Sequence, residues 1–527
     1  MFCAVAYAAS VLQAQSAEAE EPPPSFVLNA IEIRDNQVLS EESIARVIDL
    51  FLDREINPDD LRDLVARLDA LYIQSGYVNS SFLLPDQDVT SGRLILQAQE
   101  GSLSGVNYIG FSPSAASRVR RRLDNLDETL NVYELQDTLR LIELDPLFSS
   151  VRADLRPGER ASGAKLDINL ERKRPWDFSA QVDNYRSPSI GAEALSLNFR
   201  HHDLTGAEDQ LNLGVVGGQG QLSANIDYIR PIFKGQIDLE LGYRQGATDV
   251  VESVFRDLDI GGDLDSQYLR LRWPFVDQLR RQWSFSIGAR RSSSSTELLD
   301  QNFSFSLGAE EGESTTFALE ADLAFTRQFE GLVLATRLGV RQGIDAFDAT
   351  IRPATDVDRA TGAPLPDGRF TSVIAQVQAA RRVDWLDSQL VFSASGQWTS
   401  DPLLSVQKIA LGGVRSLRGY RENSLVRDRG FDLSVEWRVP VLRRSAGQLT
   451  ITPFFDFGVA EDVSEELATG RTLNLASAGI GARYRSRRGF DLVLQWGIPF
   501  DDEKLPDPSE FDLQDDGLHF AFSWALQ

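Results

Sequence analysis

From about Trp176 to the last residue, Gln527, the chain is written in long runs of period two, and few folds accept that pattern. The run FDLSVEWRV places Phe431, Leu433, Val435, Trp437 and Val439 on one face and Asp432, Ser434, Glu436 and Arg438 on the other. Successive strand residues point to opposite faces, so this reads as a strand with one apolar and one wet side. FDLVLQWGI repeats it with Phe490, Leu492, Leu494, Trp496 and Ile498, and the final LHFAFSWAL with Leu518, Phe520, Phe522, Trp524 and Leu526. About sixteen such strands fit between Asp177 and Gln527. Their even-numbered connections are mostly compact: RPIFKG near Pro231, RQFEG near Phe329, RSRRG near Arg487. Several odd ones are long, near residues 244–264, 290–314, 344–368, 400–430, 461–473 and 500–517. An even strand number with short turns at one end and long loops at the other is the plan of an outer-membrane barrel. A soluble sandwich or propeller could share the alternation, and the loop asymmetry does most to disfavour either. Trp273, Trp283, Trp398, Trp437 and Trp496 near strand ends suit interfacial girdles. The expected fold class is a transmembrane β-barrel of about 16 antiparallel strands, residues 175–527, preceded by two α+β modules.

The mean hydropathy of -0.22 fits this reading, because a lipid face and a wet lumen average out. No run of roughly 18 apolar residues is present to form a membrane helix. One Cys and three His remove most metal and redox chemistry. Cys3 has no partner for an intrachain disulfide, and Cys3, His201, His202 and His519 lack the spacing of a zinc site. A net charge of -25 disfavours nucleic acid, which needs clustered Lys and Arg. His201 and His202 sit in a turn, HHDLTG, and AGIGARY lies on a strand rather than in a phosphate loop. The acidic stretch Asp501 to Asp516 has no spaced calcium-ligand motif and reads as a solvated loop. No catalytic residue, metal or cofactor is expected.

Ahead of the barrel, residues 1–19 look like the apolar core and small-residue end of a signal peptide, truncated because its basic start is missing, and 20–25 form a Pro-rich linker. The order strand, helix, helix, strand, strand then occurs twice, over 26–101 and 102–174. In the first module VLNAIEIRD is a strand, EESIARVIDLFLD a helix opened by Ser40 and Ser43, and a second helix starts at Asn57 with Pro58 and stops at Gly76. VNSSFLLPDQD and RLILQAQEG close it. In the second, Arg118, Arg120, Arg121 and Arg122 cluster on a helix. A solvated helix face is the plainest account of them; contact with an acidic barrel rim or with lipid head groups is the alternative.

The segment from Tyr72 to Gly101 carries a fixed constellation: Gly76 and Tyr77 at a helix stop, Pro85, Gln87 and Asp88 after an extended edge, Gly92 in a tight turn, and Glu100 and Gly101 at the end of the last strand. It closely resembles the first POTRA module of two-partner secretion transporters, the TpsB or hemolysin secretion/activation type. LGGVRSLRGYRENSL, Leu411 to Leu425, is similar to that family's sixth extracellular loop with its V-R-G-Y/F tip, with Leu417 where the family has Val. The resemblance implies that the loop of about 400–430 folds into the lumen with Arg418, Gly419 and Tyr420 at its tip. PFFDFG, Pro453 to Gly458, resembles the family's F-x-D-x-G strand; by parity Phe454, Asp456 and Gly458 face inward and Phe455 and Phe457 face lipid. SAGIGARYR adds Gly479 and Gly481 on one face. An arginine held out of bulk water needs a partner, and the resemblance pairs Arg418 with Asp456 as a lock. The alternative is two solvated charges, worth about 0–1 kcal/mol to each other.

The resemblance spans nearly the whole chain, with 26–101 and 102–174 as two POTRA modules. It implies an outer-membrane pore that recognises a partner exoprotein in the periplasm through its POTRA modules and passes it to the cell surface or medium. The partner expected is a large β-helical exoprotein, captured by strand addition to a sheet edge. The resemblance further implies a monomeric barrel surrounded by outer-membrane lipid and inserted by the barrel assembly machinery. With no nucleotide-binding motif, folding of the partner outside would supply direction. An assembly or insertion factor of the same superfamily is the first alternative and a general porin the second. The assembly factors share the loop and strand motifs but carry more modules, and P-D-Q-D favours secretion. Two departures stand out: Glu18 to Ser25 shows no plug helix, leaving the plug open, and the chain ends on Gln527 where an aromatic is usual, with Trp524 the nearest.

Overall fold

A computed structural model describes residues 25–526 apart from 111–112, 125, 161, 254, 354, 359–361, 363, 464–472 and 501–511. The signal-like segment, most of the linker and most of the acidic stretch 501–516 lie outside the described residues. The chain divides into two compact units: Met1–Ile109 with Asn125–Gln136 and Ala153–Ile168, and Gly110–Asp124 with Asp137–Arg152 and Asn169–Gln527. The division runs through the second α+β module.

In the first unit, Ser40 caps a helix, α1 (Glu41–Ile48), by accepting from the Ser43 N–H. The helix stops five residues before the expected end at Asp53. Asp53 adopts φ +56° and turns the chain into a short strand, Arg54–Ile56, that pairs with Phe26–Leu28. This pairing, absent from the sequence reading, buries Phe51 and Ile56. The second helix, α2 (Pro58–Gln74), starts as expected: Asn57 and Asp60 form a reciprocal capping box with Pro58 at the first position. Leu64, Leu68 and Tyr72 bury its inner face against Leu94 and Leu96. Those two leucines belong to Arg93–Gln99, the centre of a three-stranded sheet flanked by Ala30–Arg34 in parallel and Ser81–Leu83 antiparallel. The expected strand VNSSFLLPDQD is therefore only three residues long. Beyond it the Gln87 side chain replaces a strand neighbour, giving its Nε2 to Ile95 O at 2.7 Å and taking Ile95 N at 2.7 Å.

The second module has helices Pro113–Leu123 (α3) and Val132–Glu143 (α4) and a sheet ordered Ser102–Ile109, Gly163–Arg172, Phe148–Pro157.

The second unit is dominated by a closed barrel. Numbering its sixteen antiparallel strands in chain order, β1 (Trp176–Asp183) pairs with β16 (Leu518–Leu526) to close it. That closing ladder spans six residue pairs, Phe178↔Leu526 to Asp183↔Ala521. The strand number agrees with the alternation, but β5 (Ile237–Asp249), β6 (Ile260–Gln278) and β7 (Arg281–Leu298) run further than expected. The long connections near 244–264 and 290–314 shrink to 250–259 and 299–312. Serines and threonines continue the ladder past the apolar band, as in Ser266 with Ser292 at 3.2 Å and Ser293 with Thr315 at 2.8 Å. Three tryptophans pack in aromatic pairs: the Trp283 ring centroid stands 4.4 Å from that of Phe325, and Trp437 stacks on Trp385 at 4.8 Å.

Gly76 lies just past the end of α2 at φ +94°, where an added Cβ would come within 2.6 Å of Asn131 Oδ1 and Tyr133 Cδ2. Gly76→Ala is expected to destabilise the first unit by more than about 1 kcal/mol. Limited proteolysis of the full-length protein should then cut within residues 26–109 at lower temperature; unchanged resistance would refute this account of Gly76.

Candidate functional site: a loop tip inside the barrel

Residues 400–428 connect β11 (Ser388–Thr399) to β12 (Arg429–Arg444) and turn inward. A short hairpin, Ile409–Leu411 with Leu425–Arg427, forms the stem. Gly412 and Gly413 (φ +114° and +86°) release the chain from it. Leu411, Leu417, Tyr420 and Leu425 pack with Ala460 and Leu475 of the wall into a small apolar core, and the Tyr420 hydroxyl donates to Ala476 O at 2.9 Å. Leu417, the departure from the family's Val, fits because Gly458 lies beneath it. A Cβ on Gly458 would stand 2.9 Å from Leu417 Cδ1.

The tip is ordered around one charge. Arg418 is 2 % exposed and Asp456, on β13 (Gly447–Glu461), is 0 % exposed. Arg418 donates from Nε to Asp456 Oδ2 at 2.8 Å, from Nη2 to Oδ1 at 2.7 Å, and from its backbone N–H to Oδ2 at 3.1 Å. Nη1 donates to Glu436 Oε1 at 2.7 Å and Nη2 to Ser434 Oγ at 2.8 Å. The guanidinium lies 3.7 Å above the Phe454 ring. A buried arginine with a bidentate carboxylate, a second carboxylate and an aromatic face is far from two solvated charges. Ser434 and Glu436 were legible as lumen-facing but not as partners; the β12–β13 register, Ser434↔Asp456 and Glu436↔Phe454, is what brings them there.

Glycines let the backbones meet. Gly419, at φ +96°, rests on Gly497 of β15 (Phe490–Pro499), and Gly517 lies against both. Gly479, on β14 (Leu473–Ser486), leaves room for Phe454, whose Cζ would stand 2.4 Å from an added Cβ. Gly481 has no neighbour closer than 3.5 Å to such a Cβ, and nothing in the structure explains it. Beyond the tip, Arg421 pairs with Asp515 at 2.9 Å and Glu252 at 3.3 Å. The Glu422 N–H donates to Gln514 Oε1 at 2.9 Å, and Gln514 Nε2 donates to Asn184 O at 2.7 Å and Arg186 O at 2.6 Å. Gln514 thus joins the loop tip to the β1–β16 seam. At the loop's base, Gln407 donates to Thr316 Oγ1 at 2.8 Å.

The eight motif residues of the first module do not share one site. Asp88 accepts from the Thr90 N–H, which holds its carboxyl below the usual range. Gly92 makes the turn at φ +73°, its carbonyl accepting from Asn29 N–H at 2.7 Å. With Gln87 and Pro85 they finish the sheet edge. Gly76, Glu100 and Gly101 instead meet residues 129–133: Glu100 accepts from Thr129 Oγ1 at 3.1 Å and from Gln37 N–H at 2.7 Å, and Gly101 O accepts from Leu130 N–H at 2.8 Å. Tyr77 packs edge-on against Tyr72, with ring centroids 6.3 Å apart.

The arginines of α3 meet barrel turns in the second unit. Arg118 donates to Glu208 O at 3.1 Å and Asp145 Oδ2 at 3.0 Å, Arg121 pairs with the Glu208 carboxylate, and Arg122 lies 3.9 Å from Asp277. This favours the acidic-rim alternative over a solvated face for these three residues. Charge reversal at Glu208 (Glu208→Arg) should loosen α3, read as faster hydrogen exchange over 113–123, and Arg121→Glu added to it should restore part of the protection; exchange that ignores both changes would contradict the contact.

Gly419→Ala would place a methyl 2.8 Å from the carbonyl carbon of Gly497 on a left-handed backbone. The loop tip should undock, seen as protease cleavage within 412–424 in intact, folded barrels. A tip that stays protected would refute the packing described.

Comparison with known proteins agrees with this architecture. The family description "Haemolysin secretion/activation protein ShlB/FhaC/HecB" matches residues 162–484, and "POTRA domain, ShlB-type" matches 26–101. The chain is 22% identical over 501 residues to the heme/hemopexin transporter protein HuxB of Haemophilus influenzae (strain 86-028NP), covering 90% of this chain and 84% of that one. It is 22% identical over 471 residues to the outer membrane transporter CdiB of Escherichia coli, covering 87% and 76%. The solved structure of CdiB from Escherichia coli superposes with a TM-score of 0.74 at 18% identity, covering 98% of this chain and 93% of that one. The barrel with its POTRA region, the family match along most of its length and the likeness to outer-membrane transporters lead to one assignment: the chain belongs to the haemolysin secretion/activation (ShlB/FhaC/HecB) family, outer-membrane transporters of two-partner secretion.

Proposed function

We propose that the Arg418–Asp456 contact is the lock of a gated conduit for a secreted partner protein, and that the partner is a large, β-helical exoprotein. The supporting observation is the burial of Arg418 among Asp456, Glu436, Ser434 and Phe454 on the lumen wall. Breaking such a pair by removing one partner costs about 3–5 kcal/mol, so this contact holds the loop firmly. An incoming chain that competes for this wall must displace this charge contact together with the Tyr420, Arg421 and Glu422 contacts beside it. The first module offers Ala30–Arg34 as an outer strand of its sheet, with Gln87 closing the opposite edge beside Ile95. We place the partner's first strand along Ala30–Arg34, where main-chain hydrogen bonds supply affinity and side-chain fit supplies selectivity. The barrel acts as a monomer inserted by the barrel assembly machinery, with residues 26–101 and 102–174 as its two POTRA modules.

The test is a charge exchange adapted to the geometry. Arg418→Asp or Asp456→Arg alone should reduce secretion of the partner exoprotein by tenfold or more with the barrel stably inserted. The double exchange should recover it, and best with Glu436→Gln added, since the new aspartate would otherwise face Glu436. Failure of every combination to rescue, at normal barrel levels, would defeat the lock.

A further inference from the structure

The lumen wall from β6 to β9 (Leu332–Gly343) carries a second cluster of charge, its centre on β8 (Glu313–Phe329) four and five strands round from β12 and β13. Glu320 points inward from β8, on the short-turn side of Thr316, and lies among three arginines. Arg290 Nε donates to it at 2.9 Å, Arg270 Nη2 donates at 3.2 Å, and Arg341 Nε lies at 3.6 Å. Arg270 and Arg290 come from β6 and β7, and Arg341 from β9. Register fixes the band, with Glu320 opposite Gly288 on one side and Arg341 on the other. Arg270 also reaches Glu240 at 3.4 Å, and one rung away Arg337 donates to Asp322 at 3.0 Å. Four arginines therefore meet three carboxylates. The side chains of Arg290 and Arg341 are 27% and 30% exposed while that of Glu320 is 5% exposed, so positive charge faces the lumen water and the compensating carboxylate lies behind it. In a chain of net charge -25, a wall with this sign is a local exception.

We propose that this strip is a reversible contact line for carboxylate side chains of the passing polypeptide, with Glu320 setting its strength. The inference rests on the conduit reading above. Sharing one carboxylate among three guanidiniums keeps each contact to a passing acidic residue near the scale of an exposed ion pair, about 0–1 kcal/mol, which permits sliding. Without Glu320 the three arginines would form a strong anion trap.

The strip can be probed without any cargo. Ser286 on β7 faces the lumen opposite Asp322, two residues from the position opposite Glu320, at a separation of about 8 Å from it. In full-length barrels carrying Cys3→Ser and Ser286→Cys, the rates of modification by anionic and cationic methanethiosulfonates report the local potential. Glu320→Gln should raise the anionic-to-cationic rate ratio about fivefold, the effect of one charge at that distance in a water-like dielectric. Glu320→Asp should leave the ratio unchanged, and Arg341→Gln should lower it. If Glu320→Gln fails to insert, Arg341→Gln decides. A ratio indifferent to Arg341→Gln, or to Glu320→Gln in an inserted barrel, overturns the proposal. The readout uses no secreted partner, so a lost secretion phenotype with the expected ratios would strike the conduit reading and leave the electrostatic strip intact.

Discussion

Hydrocarbon offers no hydrogen bonds, so a chain that crosses it in strands must pair every backbone group with another strand and leave no edge. That constraint fixes the closed circuit of sixteen strands, the antiparallel order, and the division of each strand into a lipid face and a lumen face. The lumen side chains then carry all the chemistry left to the wall. Function is written on every second residue: Asp432, Ser434 and Glu436 on one strand, Phe454, Asp456 and Gly458 on the next. Arg418 can be buried only because this arrangement delivers two carboxylates, a hydroxyl and an aromatic face to one spot.

The parts of the fold set by periodicity were legible. Alternation counted the strands, and Asn57, Pro58 and Gly76 marked the second helix, because caps and stops are local in sequence. What escaped depends on partners far along the chain. The pairing of Arg54–Ile56 with Phe26–Leu28, which cut α1 short, has no local signature. The extra length of β6 and β7 escaped because their upper ends are written in Ser and Thr, residues that suit loops and strands alike. At the site, the motifs brought Arg418 and Asp456 together, while Glu436 and Phe454 acquire their relation to Arg418 through a register that spans a hairpin.

The two charge clusters of the lumen differ in how they handle water. Around Arg418 the charge is enclosed and its partners are geometrically matched, which suits a contact that is either made or broken. Around Glu320 the guanidiniums remain partly wet and share one acceptor, which suits many brief contacts. The arginines of α3 are intermediate: Arg118, Arg121 and Arg122 are half-buried against Glu208, Asp145 and Asp277, tying a helix of the second module to the turns from which the strands rise.

The single amide of Gln514 ties two parts of the chain that are remote in sequence. It accepts from Glu422 in the loop tip and donates to Asn184 and Arg186 at the end of the first strand, beside the shortest closing ladder of the wall. The loop tip, the last hairpin and the start of the barrel therefore form one interlocked block. Exchange of the loop alone between relatives would import a tip cut for another seam, whereas exchange of the loop together with residues 184–186 and 512–526 would carry both halves of the fit.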